Sequence, residues 1–187
     1  MSIVIDGTGT ISGVSATGLT TAQTVTQSVI ATGVAGTGPA FSATMSATQT
    51  GISQNTYTKV QLNTKEFDTA NAFDSTTNYR FTPLVAGYYQ VNFCLWASSS
   101  TTYGKTVVSA IYKNGSAFKR AIVNLAGGSA GSTPLNEVGA QISAVIYMNG
   151  STDYLEFYGM EDGYSANGIF ESGSSLTSAS AVLVRSA

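Results

Sequence analysis

The run Tyr88-Tyr89-Gln90-Val91-Asn92-Phe93-Cys94-Leu95-Trp96-Ala97 limits what the rest of the chain can build. Read with the two-residue period of a strand, Tyr89, Val91, Phe93 and Leu95 fall on one side, and Tyr88, Cys94 and Trp96 fall on the other with Gln90 and Asn92. The first side fills a core, and the second is too aromatic to be left in water. A two-layer sandwich covers only one face of such a strand, so the other face calls for a second copy of the chain. Tyr88 and Trp96 are therefore the candidate contacts of an interface between copies of the chain.

No stretch keeps a 3.6-residue apolar period, whereas short apolar runs broken by Gly, Asn, Ser and Pro recur from Ala40 onward. The fold class read from this is all-β, a sandwich. About nine strands are expected, at 41–45, 57–62, 79–82, 88–97, 105–113, 117–124, 142–148, 154–160 and 179–185. Asn114-Gly115 stands at hairpin spacing between two of them and predicts a type I′ turn.

The N-terminal part differs in kind. After Asp6 the next charged residue is Lys59, which leaves 52 consecutive positions without charge. Within Ile3-Val4-Ile5 and Thr10-Ile11-Ser12, separated by Asp6-Gly7 and Gly9, a short β-ribbon is expected. Residues 17–38 are mostly Thr, Ala, Gly, Val and Gln, with apolar side chains too small to build a core of their own, and are expected to gain order by wrapping on a partner or on copies of themselves. The division expected is an attachment and trimerisation segment at 1–39, with Ile3, Val4, Ile5 and Ile11 as its contact residues, and a head at 40–187. The start of the chain has neither the basic nor the apolar region of a signal peptide, and no run of about 18 apolar residues occurs, so neither secretion nor membrane insertion is expected.

Composition removes most chemistry. With no His, Ser-His-Asp, Cys-His and His-zinc sites are all excluded, and an enzyme is not expected. Gly127-Gly128-Ser129-Ala130-Gly131 spells a nucleophile elbow but lacks any base to take the serine proton, and reads as a loop. Gly104-Lys105-Thr106 resembles the end of a phosphate loop, yet Ser99 stands where its first Gly belongs and a strand follows. The closest carboxylates, Glu161-Asp162 and Asp68 with Asp74, read as solvated loops; no cofactor is expected, and an all-oxygen calcium site on such loops is the minor alternative. A net charge of -2 argues against nucleic acid and anionic membrane. Cys94, among Phe93, Leu95 and Trp96, is expected to be a buried, inert thiol. Tyr103 and Tyr164 stand in polar loops and are the candidate ligand contacts, suited to a glycan or protein on a host surface.

Gly38-Pro39-Ala40-Phe41-Ser42-Ala43 and Tyr79-Arg80-Phe81-Thr82-Pro83-Leu84-Val85-Ala86-Gly87-Tyr88-Tyr89-Gln90-Val91 resemble the head domain of the C1q and tumour-necrosis-factor-like superfamily. Ile111-Tyr112-Lys113-Asn114-Gly115 and Met148-Asn149-Gly150-Ser151-Thr152-Asp153-Tyr154 extend the likeness. The family's aromatic-x-Gly-aromatic last strand is replaced here by Ser180-Ala181-Val182-Leu183. The resemblance implies a ten-stranded jelly roll that assembles as a compact trimer with its N-termini gathered at a support. The opening Ile3 to Gly13 is similar to the start of small tail-fibre and appendage proteins of tailed bacteriophages. Together these imply a virion protein: a trimeric tail-fibre or appendage knob docked on other virion proteins through its N-terminus. The alternatives are a trimeric capsid decoration protein and a soluble C1q-like lectin or ligand.

Overall fold

The computed structural model describes residues 4–5, 11–12, 38–99, 106–124, 137–162, 168–172 and 176–187. The chain divides into two compact units, Met1–Thr37 and Gly38–Ala187. In the first, strands β1 (Val4–Ile5) and β2 (Ile11–Ser12) pair antiparallel as a two-stranded ribbon.

The second unit is a sandwich of two antiparallel sheets, and no helix occurs among the described residues. Its strands are β3 (Ala40–Thr44), β4 (Gln49–Ile52), β5 (Thr58–Lys59), β6 (Thr64–Asp68), β7 (Phe73–Asp74), β8 (Arg80–Phe81), β9 (Ala86–Ser99), β10 (Thr106–Lys113), β11 (Ser116–Asn124), β12 (Glu137–Asn149), β13 (Leu155–Asp162), β14 (Gly168–Phe170) and β15 (Ser178–Ser186). The large sheet is organised around β9. One edge of β9 pairs with β12 along its length, and the other pairs first with β15 and then with β14. Beyond β15 lie β3 and β6, and beyond β14 lies β4. In the small sheet β13 is central, with β10 and then β11 on one side and β8 and β5 on the other; β7 extends β8.

The odd-numbered side of β9 is the core side, as its spacing dictates: Tyr89, Val91, Phe93, Leu95 and Ala97 are all buried. Phe41 ties the two sheets together, its ring stacked on Phe73 at 4.5 Å and tilted against Phe81 at 4.6 Å and Phe157 at 6.2 Å. Tyr89 reaches the end of this cluster, where its hydroxyl donates to the Val85 carbonyl at 2.8 Å. Burial pushes its pKa up to about 12.

Asn114 and Gly115 both have positive φ, 54° and 77°, which is the type I′ turn the sequence predicts. The strand count does not match: thirteen strands are described in this unit, where nine were expected. The extra ones, β4, β6, β7 and β14, are two to five residues long and lie at or beside sheet edges. Thr64-Lys65-Glu66-Phe67-Asp68 is polar and exposed, with no inner face for a pattern to reveal. The strand expected at 57–62 shrinks to Thr58–Lys59.

The β7–β8 connection is shaped by one carboxylate. Asp74 Oδ1 accepts from the Thr76 and Thr77 amides, and Oδ2 accepts from the amide and side chain of Asn78 at 3.0 and 2.8 Å. These amide donors hold its carboxyl well below the usual carboxylate range. A depressed pKa in the folded state adds stability that is complete above the unfolded value near 3.9 and is lost as pH falls through the folded one. The Asp74→Asn variant is therefore expected to melt lower than the parent at pH 7 and to lose less of its melting temperature on acidification to about pH 3. Calorimetric scans at the two pH values check this; parallel losses in both proteins would refute the role given to Asp74.

Candidate functional site: the outer faces of the two sheets

The outer face of the large sheet is built from the even side of β9, the odd side of β12 and the matching positions of β15. Register aligns Tyr147, Tyr88 and Arg185 in one row and Val145, Gln90 and Val182 in the next. Tyr88, Val145, Tyr147, Val182 and Val184 are each 38 to 55% exposed. The rings of Tyr88 and Tyr147 lie 5.4 Å apart, and Tyr88, Val145, Val184 and Arg185 border a shared depression. Large apolar side chains collected like this form a patch of several hundred Å², the size that marks an interaction surface.

Further along the same face the chemistry turns polar. Gln90 Nε2 donates to Ser143 Oγ at 2.7 Å, and Ser143 Oγ donates to Asn92 Oδ1 at 2.9 Å. Next to them lies a recess of about 500 Å³ lined by Ser42, Asn92, Cys94, Gln141, Ser178 and Ser180 among others. Cys94 is thus half-buried at the wall of this recess, with Gln141 Nε2 at 3.6 Å from its sulfur, and not the fully buried thiol its neighbours suggested. Strand alternation is the reason, since Phe93 and Leu95 take the core side and leave Cys94 outside.

Tyr88 and Trp96 both stand on this face, at opposite ends. Trp96 is half-buried: its indole N–H donates to Glu137 at 3.3 Å, and its ring lies over Gly139, where a Cβ would come within 2.5 Å of it. Tyr103, Tyr164 and Ile3 lie outside the described residues. Val4, Ile5 and Ile11 lie in the β1–β2 ribbon.

The outer face of the small sheet carries a constellation of side chains with no local motif. Register places Arg80, Glu156 and Tyr112 in one row across β8, β13 and β10. The adjoining row across β5, β13, β10 and β11 holds Lys59, Tyr158, Ala110 and Arg120. Tyr112 and Tyr158 stack at 4.0 Å, and Tyr57 leans on Tyr112 at 6.0 Å. Burial, with smaller contributions from neighbouring charged groups, raises the pKa of both Tyr112 and Tyr158. Lys59 Nζ sits 2.6 Å from Glu156 Oε1 and donates to the Asn78 carbonyl at 3.2 Å. Arg120 donates to the Tyr57 hydroxyl at 3.2 Å. The sequence signal for this site was the even positions of β13 and β10, where Tyr158 and Tyr112 alternate with the core residues Phe157 and Ile111.

The carboxylates do not converge. Asp68 accepts from the Ala72 and Phe73 amides, Asp74 closes its own loop, and Asp162 accepts from Gln54 and Asn55. No group of three potential metal-binding side chains occurs among the described residues.

No protein-family model and no curated protein matches this sequence. Solved structures do. Eiger TNF from S. frugiperda aligns at a TM-score of 0.55 and 10% identity, covering 80% of this chain and 92% of that one. Murine APRIL at pH 8.5 aligns at 0.54 and 9% identity, covering 78% and 98%. The fold is a TNF-like jelly roll. The TNF-like head keeps this architecture although its last strand, β15, lacks the aromatic-x-Gly-aromatic pattern: Ala179, Ala181 and Leu183 supply the buried side instead. Identities this low carry the fold and nothing finer.

Proposed function

We propose that this protein is a non-enzymatic structural component of a tailed-bacteriophage particle. In this reading it is a tail-fibre or appendage knob whose TNF-like head forms a homotrimer through the outer face of the large sheet. Residues 1–39 hold it to other virion proteins, and the outward surfaces meet a glycan or protein of the host. The observation that carries the assembly is the patch of Tyr88, Val145, Tyr147, Val182 and Val184, half-exposed side chains on regular strands with no covering layer among the described residues. The C1q and tumour-necrosis-factor-like resemblance, which implies a trimer, supports the same choice. A binding role fits a chain with no His, in which Asp68 and Asp74 accept from amides of their own loops and Asp162 accepts from the Gln54 and Asn55 side chains. The virion assignment rests on the N-terminal resemblance and on the chargeless segment that follows it.

Light scattering of the purified full chain tests the assembly, with a trimer mass expected and a monomer mass at micromolar concentration refuting it. A separate experiment tests attachment. Deleting residues 1–35 is expected to leave a folded head that is missing from assembled particles. Particles that still carry the truncated chain would remove the attachment role. If particles lacking the protein adsorb to host cells unchanged but lose resistance to heat and low salt, the capsid-decoration alternative replaces the fibre reading.

A further inference from the structure

The tyrosine rows on the small sheet are separate from the face given to assembly, and they stand on the opposite side of the sandwich. Their side chains are fixed before any ligand arrives. Tyr112 and Tyr158 hold each other by stacking, Lys59 lies 5.8 Å from the Tyr158 ring centre, and Glu156, though on the outer side of β13, is 6% exposed beneath its neighbours. Rigid tyrosines on strands offer apolar ring surface beside hydroxyls at little entropic cost.

The charges on this face are not all paired. Lys59 is taken by Glu156. Arg80 lies over the Tyr154 ring at 4.6 Å, and its neighbour Asp74 is saturated by loop amides. Arg120, at the far end of its row, is exposed and has the Tyr57 hydroxyl as its hydrogen-bond partner, with no carboxylate paired to it among the described residues. Across the face Lys59, Arg80 and Arg120 stand against Asp74, Glu156 and Asp162, the last on the same side of β13 as Glu156, so the charges balance in sum and Arg120 is the cation left without a carboxylate beside it among the described residues. A guanidinium with donors to spare beside tyrosine rings matches a ligand that joins a carboxylate to a hydroxylated ring with an apolar C–H face.

We propose that the outer face of the small sheet binds an acidic saccharide. A uronate unit gives its carboxylate to Arg120 and lays its ring against Tyr57 and Tyr112. This rests on the reading of the head as a recognition module and names the ligand class and the place.

The test is titration calorimetry of the full chain with oligogalacturonate at low ionic strength, beside maltooligosaccharide and polyglutamate. Oligogalacturonate is expected to bind, and maltooligosaccharide and polyglutamate to bind at least about tenfold more weakly. Arg120→Gln, which alters an exposed side chain, is expected to weaken the uronate by about tenfold or more. Tyr57→Ala is expected to weaken it similarly, and Lys65→Gln, on β6 of the other sheet, to leave it unchanged. If Tyr57→Ala melts early, Arg120→Gln alone decides. No binding at millimolar oligogalacturonate, polyglutamate binding as tight as the uronate, or an Arg120→Gln chain that binds like the parent would each overturn the proposal. Light scattering of the same samples separates the two readings. A monomer that binds the uronate keeps this site and drops the trimer, and a trimer that does not bind it does the reverse.

Discussion

The full chain carrying Val145→Asp and Tyr147→Asp is expected to sediment at a single-chain mass of 19.3 kDa, and the parent at three times that. Both side chains project from the odd, outward side of β12 and stand about half-exposed, while the core is served by Val138, Ala140, Ile146 and Met148 of the same strand. The substitutions therefore leave the sandwich itself intact. In a trimer they would place six carboxylates against apolar surface, and burying an unpaired ion costs several kcal/mol apiece, far more than the Val and Tyr side chains contribute. Association should weaken by more than about a thousandfold. Sedimentation velocity supplies the masses, and far-ultraviolet circular dichroism shows that the fold is kept. A double variant that remains trimeric would move the interface off this face.

Asp153→Ala is expected to be the most damaging single change in the head, costing about 3 to 5 kcal/mol and lowering the melting temperature by roughly 10 °C. Asp153 is buried where the β10–β11 turn meets the β12–β13 connection. Lys113 Nζ lies 2.8 Å from one oxygen, Asn114 Nδ2 donates to the other at 2.8 Å, and the Asn149 amide donates at 3.0 Å. Burial alone would raise its pKa, but these donors and the Lys113 charge outweigh burial and bring it down. Asn149 Oδ1 in turn accepts from the amides of Ser151, Thr152 and Asp153, and Gly150 has φ of 71° with no room for a Cβ, which would meet Ala86 N at 2.3 Å. Removing the carboxylate leaves Lys113 and two amide groups without their partner in a tight turn. Asp153→Asn, which keeps an acceptor but not the charge, should fall between the parent and Ala. Thermal melts of the three proteins at pH 7 decide, and an Ala variant within a degree or two of the parent would contradict this account.

The central strand was legible because both its sides are apolar and its alternation is strict from Tyr88 to Ala97. Asn114-Gly115 was legible because only residues tolerant of positive φ close a two-residue hairpin. The edge strands were not, since Gln49–Ile52 buries only Ile52 and Thr64–Asp68 buries no apolar side chain, too little for a period to register. Side chains of the two outer faces were legible to different degrees for a related reason. Tyr88 declares itself by its place on a two-faced strand. Tyr57, Tyr112, Tyr158 and Arg120 become neighbours only through the register of β10, β11 and β13, which no short spacing encodes. Cys94 went astray because flanking residues in a strand point the other way, so apolar neighbours predict exposure as readily as burial.

The position of β15 bears on how the head is made. It is the last of these strands to leave the ribosome, yet it lies between β9 and β3, with Ala181 facing Val91 on one side and Phe41 on the other. Until it emerges, β3 has no link through the sheet to β9, and both strands present open edges of the kind that invite wrong pairings. Closing the large sheet therefore joins segments about 140 positions apart along the chain, a late and slow step for any nascent polypeptide. Without Ser178–Ser186 the large sheet would lack its middle rather than a fringe.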